Sequence, residues 1–313
     1  MKSLKGKFNR YSLALIILSL SAIFIISGID KKKLAADEPS GSKTVMRALY
    51  IPNHKSRSLK YIKQLIEKGK PLGINMLVMD VHTYGSRKLR INSKVLEYLE
   101  EQEIYSTARI VCFQDGITRL PVSKRHMNSL YSLVEKSADA GFDEVQLDYI
   151  RFADGGAPYP LKKKYAFIES LLTQFKKIAD AKKVRLSADL FGRIVYNHND
   201  YIGQKVEVFA PYMDVIYPML YPSHYTGDRQ RMSAPGETVR EGTMKGLKRV
   251  EGKNVAVQPY IQAFPYNIRY AKVKLDKYVQ LQLKAVEETG ARGWVAWNPN
   301  GNYSSVFSAL SID

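Results

Sequence analysis

From residue 45 onward, short apolar runs alternate with stretches that are apolar on one helical face only. The runs are Val45–Ile51, Ile74–Val81, Ser106–Phe113, Glu144–Ile150, Val184–Phe191, Asp214–Leu220, Val255–Ile261 and Gly293–Trp297. Near-continuous apolarity over so few residues suits strands buried on both faces, as in a parallel sheet. Between them, Leu59–Gly69 sets Leu59, Ile62, Leu65 and Ile66 at helical spacing. Leu130–Ala140 and Tyr165–Ala181 repeat that spacing, and Leu275–Thr289 ends before Gly290. Eight strand-helix alternations in about 270 residues predict an α/β fold, a single (β/α)8 TIM barrel over residues 45–313. A doubly wound sheet would bring a glycine-rich turn after its first strand, but the first run ends in Ile51-Pro-Asn-His54. No G-x-x-x-x-G-K-[ST] segment is present either, which argues against a P-loop nucleotide site.

Upstream the pattern changes. Lys2, Lys5, Lys7 and Arg10 precede Ser12–Gly28, an uncharged and mostly apolar stretch of 17 residues. Residues 1–28 read as a basic flank with a signal anchor or signal peptide, and residues 29–44 as a polar linker. The basic flank predicts a single-pass protein of the cell membrane whose domain lies on the extracytoplasmic side. The alternative is cleavage near Leu34-Ala-Ala36, which would yield a secreted or periplasmic protein.

Charge narrows the partners. The formal net charge is +18, and residues 1–44 hold eight Lys/Arg against three Asp/Glu, leaving +13 for residues 45–313. Such a surplus suits an anionic polysaccharide or a membrane surface, or is simply a basic solvated surface. No basic run is interleaved with aromatics, so nucleic acid is not expected as a partner. Cys112, the single cysteine, lies in an apolar run and reads as core.

Barrel enzymes carry their chemistry at the C-terminal strand ends. Read there, the second run gives Asp80 and His82, the third Gln114 and Asp115, the fourth Gln146 and Asp148 followed by Arg151, and the fifth Asp189. The sixth gives Tyr217, Tyr221, His224 and Tyr225, the seventh Gln258, Tyr260 and Gln262, and the eighth Trp297 and Asn298. Carboxylates among aromatics and amides suit sugar binding: rings stack on pyranoses and amides bond hydroxyls. Two carboxyls suffice for glycoside hydrolysis, with Asp148 as nucleophile or base and Asp189 as general acid. A separation of about 5–5.5 Å would indicate retention and about 6.5–9.5 Å inversion. Asp80, His82, Asp115, Gln146 and Arg151 join the later polar and aromatic positions as substrate-binding candidates. The bland alternative pairs both acids structurally with Arg151, Arg185 or Arg193. No cofactor is expected, and the five histidines form neither H-x-H nor H-E-x-x-H. A metal-dependent hydrolase would need an ion at Asp80, Asp148 and His224. A Ser-His-Asp triad lacks its G-x-S-x-G elbow.

Five segments together resemble the DUF4015 family of glycoside hydrolase-like domains. They are Ala108–Asp115, Gly141–Phe152, Leu186–Gly192, Asp214–Tyr225 and Trp297-Asn-Pro299. The resemblance implies a (β/α)8 barrel acting on a polysaccharide or oligosaccharide, and it retains Asp148 and Asp189. Three positions depart from the family pattern: Gln114 stands where Lys is expected, Ala263 where an acid is expected, and the second strand continues His82-Thr-Tyr-Gly85. Gln114 and Ala263 motivate the alternative of a catalytically silent glycan-binding barrel. A chitinase-type F-D-G-x-D-x-D-x-E pattern also falls on Phe142–Ile150, but Ile150 stands in place of the catalytic Glu.

Overall fold

The computed structural model describes residues 44–86, 88–155 and 157–312. The membrane segment and all but the last residue of the linker lie outside them. Among the described residues no helix is long and apolar enough to cross a membrane.

The apolar runs become parallel strands of one closed sheet. They are β1 (Met46–Ile51), β2 (Met76–Asp80), β3 (Tyr105–Val111), β4 (Glu144–Asp148), β5 (Arg185–Phe191), β6 (Val215–Met219), β7 (Ala256–Val257), β8 (Tyr260–Gln262) and β9 (Gly293–Trp297). The sheet order β5-β4-β3-β2-β1-β9-β8-β6-β7 closes through a further β5–β6 pairing. The seventh expected strand is split into β7 and β8 around Pro259, which has no N–H for the ladder. The two pieces occupy one place in the wall, so the barrel is eightfold.

The helices on the outside are α1 (Leu59–Gly69), α2 (Ser93–Glu101), α3 (Lys124–Asp139), α4 (Leu161–Lys182), α5 (Pro235–Arg249), α6 (Leu275–Glu287) and α7 (Ser304–Leu310). Ser58 caps α1 by accepting from the Tyr61 N–H, and Ile62, Leu65 and Ile66 turn inward onto the sheet. The predicted bounds of α1 and β9 coincide with the observed ones, while α3 starts six residues earlier than its apolar stripe suggested. The main apolar core fills the shell between strands and helices, where Leu49, Ile51, Leu77, Ile110, Leu147 and Leu190 are fully or almost fully buried.

Inside the barrel the contents are different. Ala48, Tyr50, Met76, Val78, Val215, Tyr217, Tyr260 and Val295 form a separate inner cluster, and polar side chains fill the rest. Because strand side chains alternate, β4 directs Glu144, Gln146 and Asp148 to this interior at three successive levels.

Candidate active site

At the lowest level Glu144 is fully buried and satisfied. It accepts from Ser187 Oγ at 2.6 Å, Tyr217 OH at 2.7 Å and Arg292 Nη1 at 3.1 Å. Burial alone would raise its pKa, but Arg292 and these donors together bring the carboxyl below its ordinary value. One level up, Tyr260 OH donates to Gln146 Oε1 at 2.7 Å. Tyr217, Gln258 and Tyr260 therefore sit beneath the barrel mouth as interior packing. Gln258 bonds the Trp294 and Met46 carbonyls there.

The top level holds the chemistry, and its hub is Arg109 of β3. Asp80 lies directly across the β2–β3 ladder from Arg109. The guanidinium donates from Nη1 to Asp80 Oδ1 at 2.5 Å, from Nη2 to Asp148 Oδ2, and from Nε to Asp189 Oδ2 at 3.4 Å. Three carboxylates thus converge on one cation, which burial alone would discharge and the three acids keep charged. The bland alternative paired Asp148 and Asp189 with Arg151, Arg185 or Arg193, but the cation bonded to both is Arg109. Arg151 instead pairs with Asp154 and Arg193 with Asp200.

The environments of Asp148 and Asp189 differ through their partners, not their solvation, since both are 1% exposed. Asp148 receives Arg109 and, at 2.6 Å, the Tyr149 N–H, presented by a residue held at a left-handed φ of 57°. Such backbone is uncommon for a non-glycine residue and fixes the turn that leaves the strand. Among the described residues, Asp189 has only the long bond to Arg109 Nε, and its Oδ1 is buried without a donor. Burial, and then the adjacent Asp148 charge, push the Asp189 carboxyl well above the usual carboxylate range against the pull of Arg109. The two residues are neighbours at the ends of adjacent paired strands, directly after the Leu147–Ala188 pairing. A proton on Asp189 Oδ1 would fit both the missing donor and the direction of the shift.

Asp80 differs from both. Its side chain is 15% exposed, and it also accepts from Tyr50 OH at 2.6 Å. Tyr50 stacks on the half-buried Trp297 with ring centroids 3.7 Å apart, and the Arg109 guanidinium lies 5.0 Å from the Trp297 ring. Tyr221 is close by, its ring 6.5 Å from Trp297, and its buried hydroxyl has no partner. The site therefore comprises Asp80, Asp148, Asp189, Trp297 and Tyr221 from the predicted set, with Arg109 and Tyr50 added. Both additions had a sequence signal: Arg109 is a cation inside an apolar run, and Tyr50 precedes the last residue of the first run.

Other candidates have different work. His82 is buried, accepts the Val111 N–H at Nε2 (2.9 Å) and faces the Thr83 carbonyl with Nδ1, which binds its loop to β3. Asp115 and Gln114 are exposed on a turn. Gln262 ties the Ser223, Phe264 and Tyr266 backbones together, and Asn298 ties Ala263 to the Asn300 and Asn302 N–H groups. Tyr225 packs edge-on against Tyr196, away from the acids. His224 lies against Tyr221, Phe264 and Tyr266 at the rim. The metal arrangement imagined at Asp80, Asp148 and His224 is not formed, because a guanidinium stands between the two acids. Among the described residues no three His, Cys, Asp or Glu side chains are grouped to hold an ion.

Residues 120–303 match the family DUF4015, described as a "Putative glycosyl hydrolase domain". The chain belongs to this family. No curated protein matches it. Among solved structures, the chain resembles the glycoside hydrolase domain of PgaB (BpsB) from Bordetella bronchiseptica at a TM-score of 0.58 and 13% identity, covering 86% of this chain and 99% of that one. It also resembles the spore cortex-lytic enzyme SleL of Bacillus cereus (TM-score 0.60, 11% identity, 87% and 75% covered). A chitinase from Chromobacterium violaceum ATCC 12472 is similar at a TM-score of 0.58 and 11% identity, with 85% and 98% covered. At such identities these likenesses establish the barrel fold and nothing finer.

Proposed function

We propose that this DUF4015 member is a glycoside hydrolase in which Asp148 and Asp189 act as one proton-holding unit and Asp80 faces the substrate. The observation that carries the reading is the unequal treatment of three carboxylates around one guanidinium. Asp189 is desolvated and lacks a donor, which suits a stored proton. Asp80 is the most exposed and is kept as an acceptor by Arg109 and Tyr50. In the proposed reaction, the proton held between Asp189 and Asp148 passes to the glycosidic oxygen as its bond to the anomeric carbon breaks. A water attacks that carbon and gives a proton to Asp80, and solvent exchange restores the pair. Trp297 offers an aromatic face for a sugar ring beside the acids. The membrane-facing part of the proposal rests on the sequence pattern of residues 1–28: the barrel works outside the cytoplasmic membrane, tethered by the apolar stretch.

The alternative of a silent glycan-binding barrel was motivated by Gln114 and Ala263, and neither residue touches the acid cluster. Asp148→Asn separates the two readings. An enzyme should lose reducing-end release by about a hundredfold or more while still binding oligosaccharide. Binding by the wild type without product from a broad polysaccharide panel would favour the silent barrel.

A further inference from the structure

Positive charge is not distributed evenly over the barrel. The loops that leave the C-terminal strand ends span residues 52–58, 81–92, 112–123, 149–160, 192–205, 220–234, 263–274 and 298–303. Their described residues hold thirteen Lys/Arg against four Asp/Glu. The loops of the opposite end span residues 70–75, 102–104, 140–143, 183–184, 210–214, 250–255 and 288–292, and hold four against five. The end that carries the acids is therefore the basic end. Several of its cations are also uncommitted: Arg57, Lys88, Arg90, Arg119, Arg229 and Arg269 are exposed and have no carboxylate partner among the described residues.

The centre of that same end has the opposite sign. Among the described residues, Asp80, Asp148 and Asp189 are answered there by Arg109 alone. A ligand matching both parts is negatively charged along its length and uncharged at the bond that reaches the acids. A phosphodiester fails this, because its charge lies at the reacting group, where the carboxylates repel it. A polyanionic glycan satisfies it, since its glycosidic oxygen is neutral while the flanking sugars carry the anions.

Resting on the hydrolase reading above, we propose that the site takes a polyanionic glycan, carboxylated or sulfated. The basic loops hold its acidic sugars, and one neutral glycosidic bond is presented to Asp80. Concentrating cations around the mouth also raises the encounter rate with such a polymer in a salt-dependent way.

The test uses the full chain with polygalacturonate and its fully methyl-esterified form, chondroitin sulfate and desulfated chondroitin, and duplex DNA. Binding and reducing-end release are both measured, at low and high salt. The acidic polymer should bind at least about tenfold more tightly than its ester, and high salt should remove that advantage. Charge reversal at Arg90→Glu, Arg119→Glu and Arg269→Glu should weaken binding about tenfold, while Lys70→Glu, Lys183→Glu and Lys253→Glu at the other end should change it less than twofold. A preference for polygalacturonate would identify carboxylate as the recognised anion, and one for chondroitin sulfate would identify sulfate. Equal binding of ester and acid, equal effects of the two triple variants, or tighter binding of DNA than of any acidic glycan would each overturn the proposal. If acidic glycans bind in the expected pattern but none is cut, the glycan class stands and the hydrolase reading fails.

Discussion

Arg109 decides the chemistry of the site because a single guanidinium bonds three acid side chains. Exchanging it for Met of similar length leaves those carboxylates buried without a counter-charge, which should cost about 3–5 kcal/mol at neutral pH. The sign of the pH dependence follows. Without Arg109 the acids titrate higher in the folded state than in the unfolded chain. The variant is then relatively stabilised at acid pH, where both states are protonated, and loses stability as pH rises through the folded values. Urea unfolding of wild type and Arg109→Met should therefore show a gap that is widest at neutral pH and narrows on acidification. Asp189→Asn behaves oppositely. If Asp189 is neutral when folded, an amide of the same shape should hold stability at neutral pH within about 1 kcal/mol while hydrolysis is lost. The acid partners were legible in part: Asp148 and Asp189 stood at strand ends, but the register that sets Asp80 across from Arg109 is a tertiary fact. What the sequence did contain was a charge in a continuous apolar run, which is unfavourable unless partnered.

Two elements set the frame on which those residues stand. β4 places one polar side chain on each interior level, and its lowest, Glu144, is locked by Arg292 from the turn before β9. Glu144→Gln should destabilise by about 3–5 kcal/mol by leaving Arg292 uncompensated. Because the folded Glu144 carboxyl lies below its ordinary value, its contribution is present above the unfolded-state pKa and is lost as pH falls through the folded one. Denaturation midpoints of wild type and variant should accordingly converge in acid. The second element is the seam between β1 and β9. Gly293 has a φ of 145°, and a Cβ there would lie 2.0 Å from the Met46 carbonyl oxygen. Gly293→Ala should cost about 3 kcal/mol or more, readable as a lowered Tm, because the Met46 backbone leaves the methyl no room. Strand positions and those of α1, α3, α4 and α6 were legible from periodicity, while α2, α5 and α7 were not singled out. The split at Pro259 and the early start of α3 were not, because the first depends on a missing donor and the second precedes the apolar stripe.

For the whole molecule, eight alternating elements were enough to indicate a barrel, and the family match and structural neighbours agree with it. Spacing was less informative about the function of each strand-end residue. His82, Gln262 and Asn298 look like ligand-binding groups in sequence, yet their polar atoms are used to hold loops. Tyr217 and Gln258 face the interior but below the mouth, a depth that alternation alone does not reveal. The proposed mechanism turns on one proton held by Asp189, next to Asp148 and under Arg109. Carboxyl-carbon NMR titration of aspartate-labelled protein tests it most directly, with Asp189→Asn assigning the resonance. A site carboxyl should titrate above the ordinary carboxylate range and be missing from the variant. Ionisation of every site carboxyl within the ordinary carboxylate range of about 3–5 would contradict it.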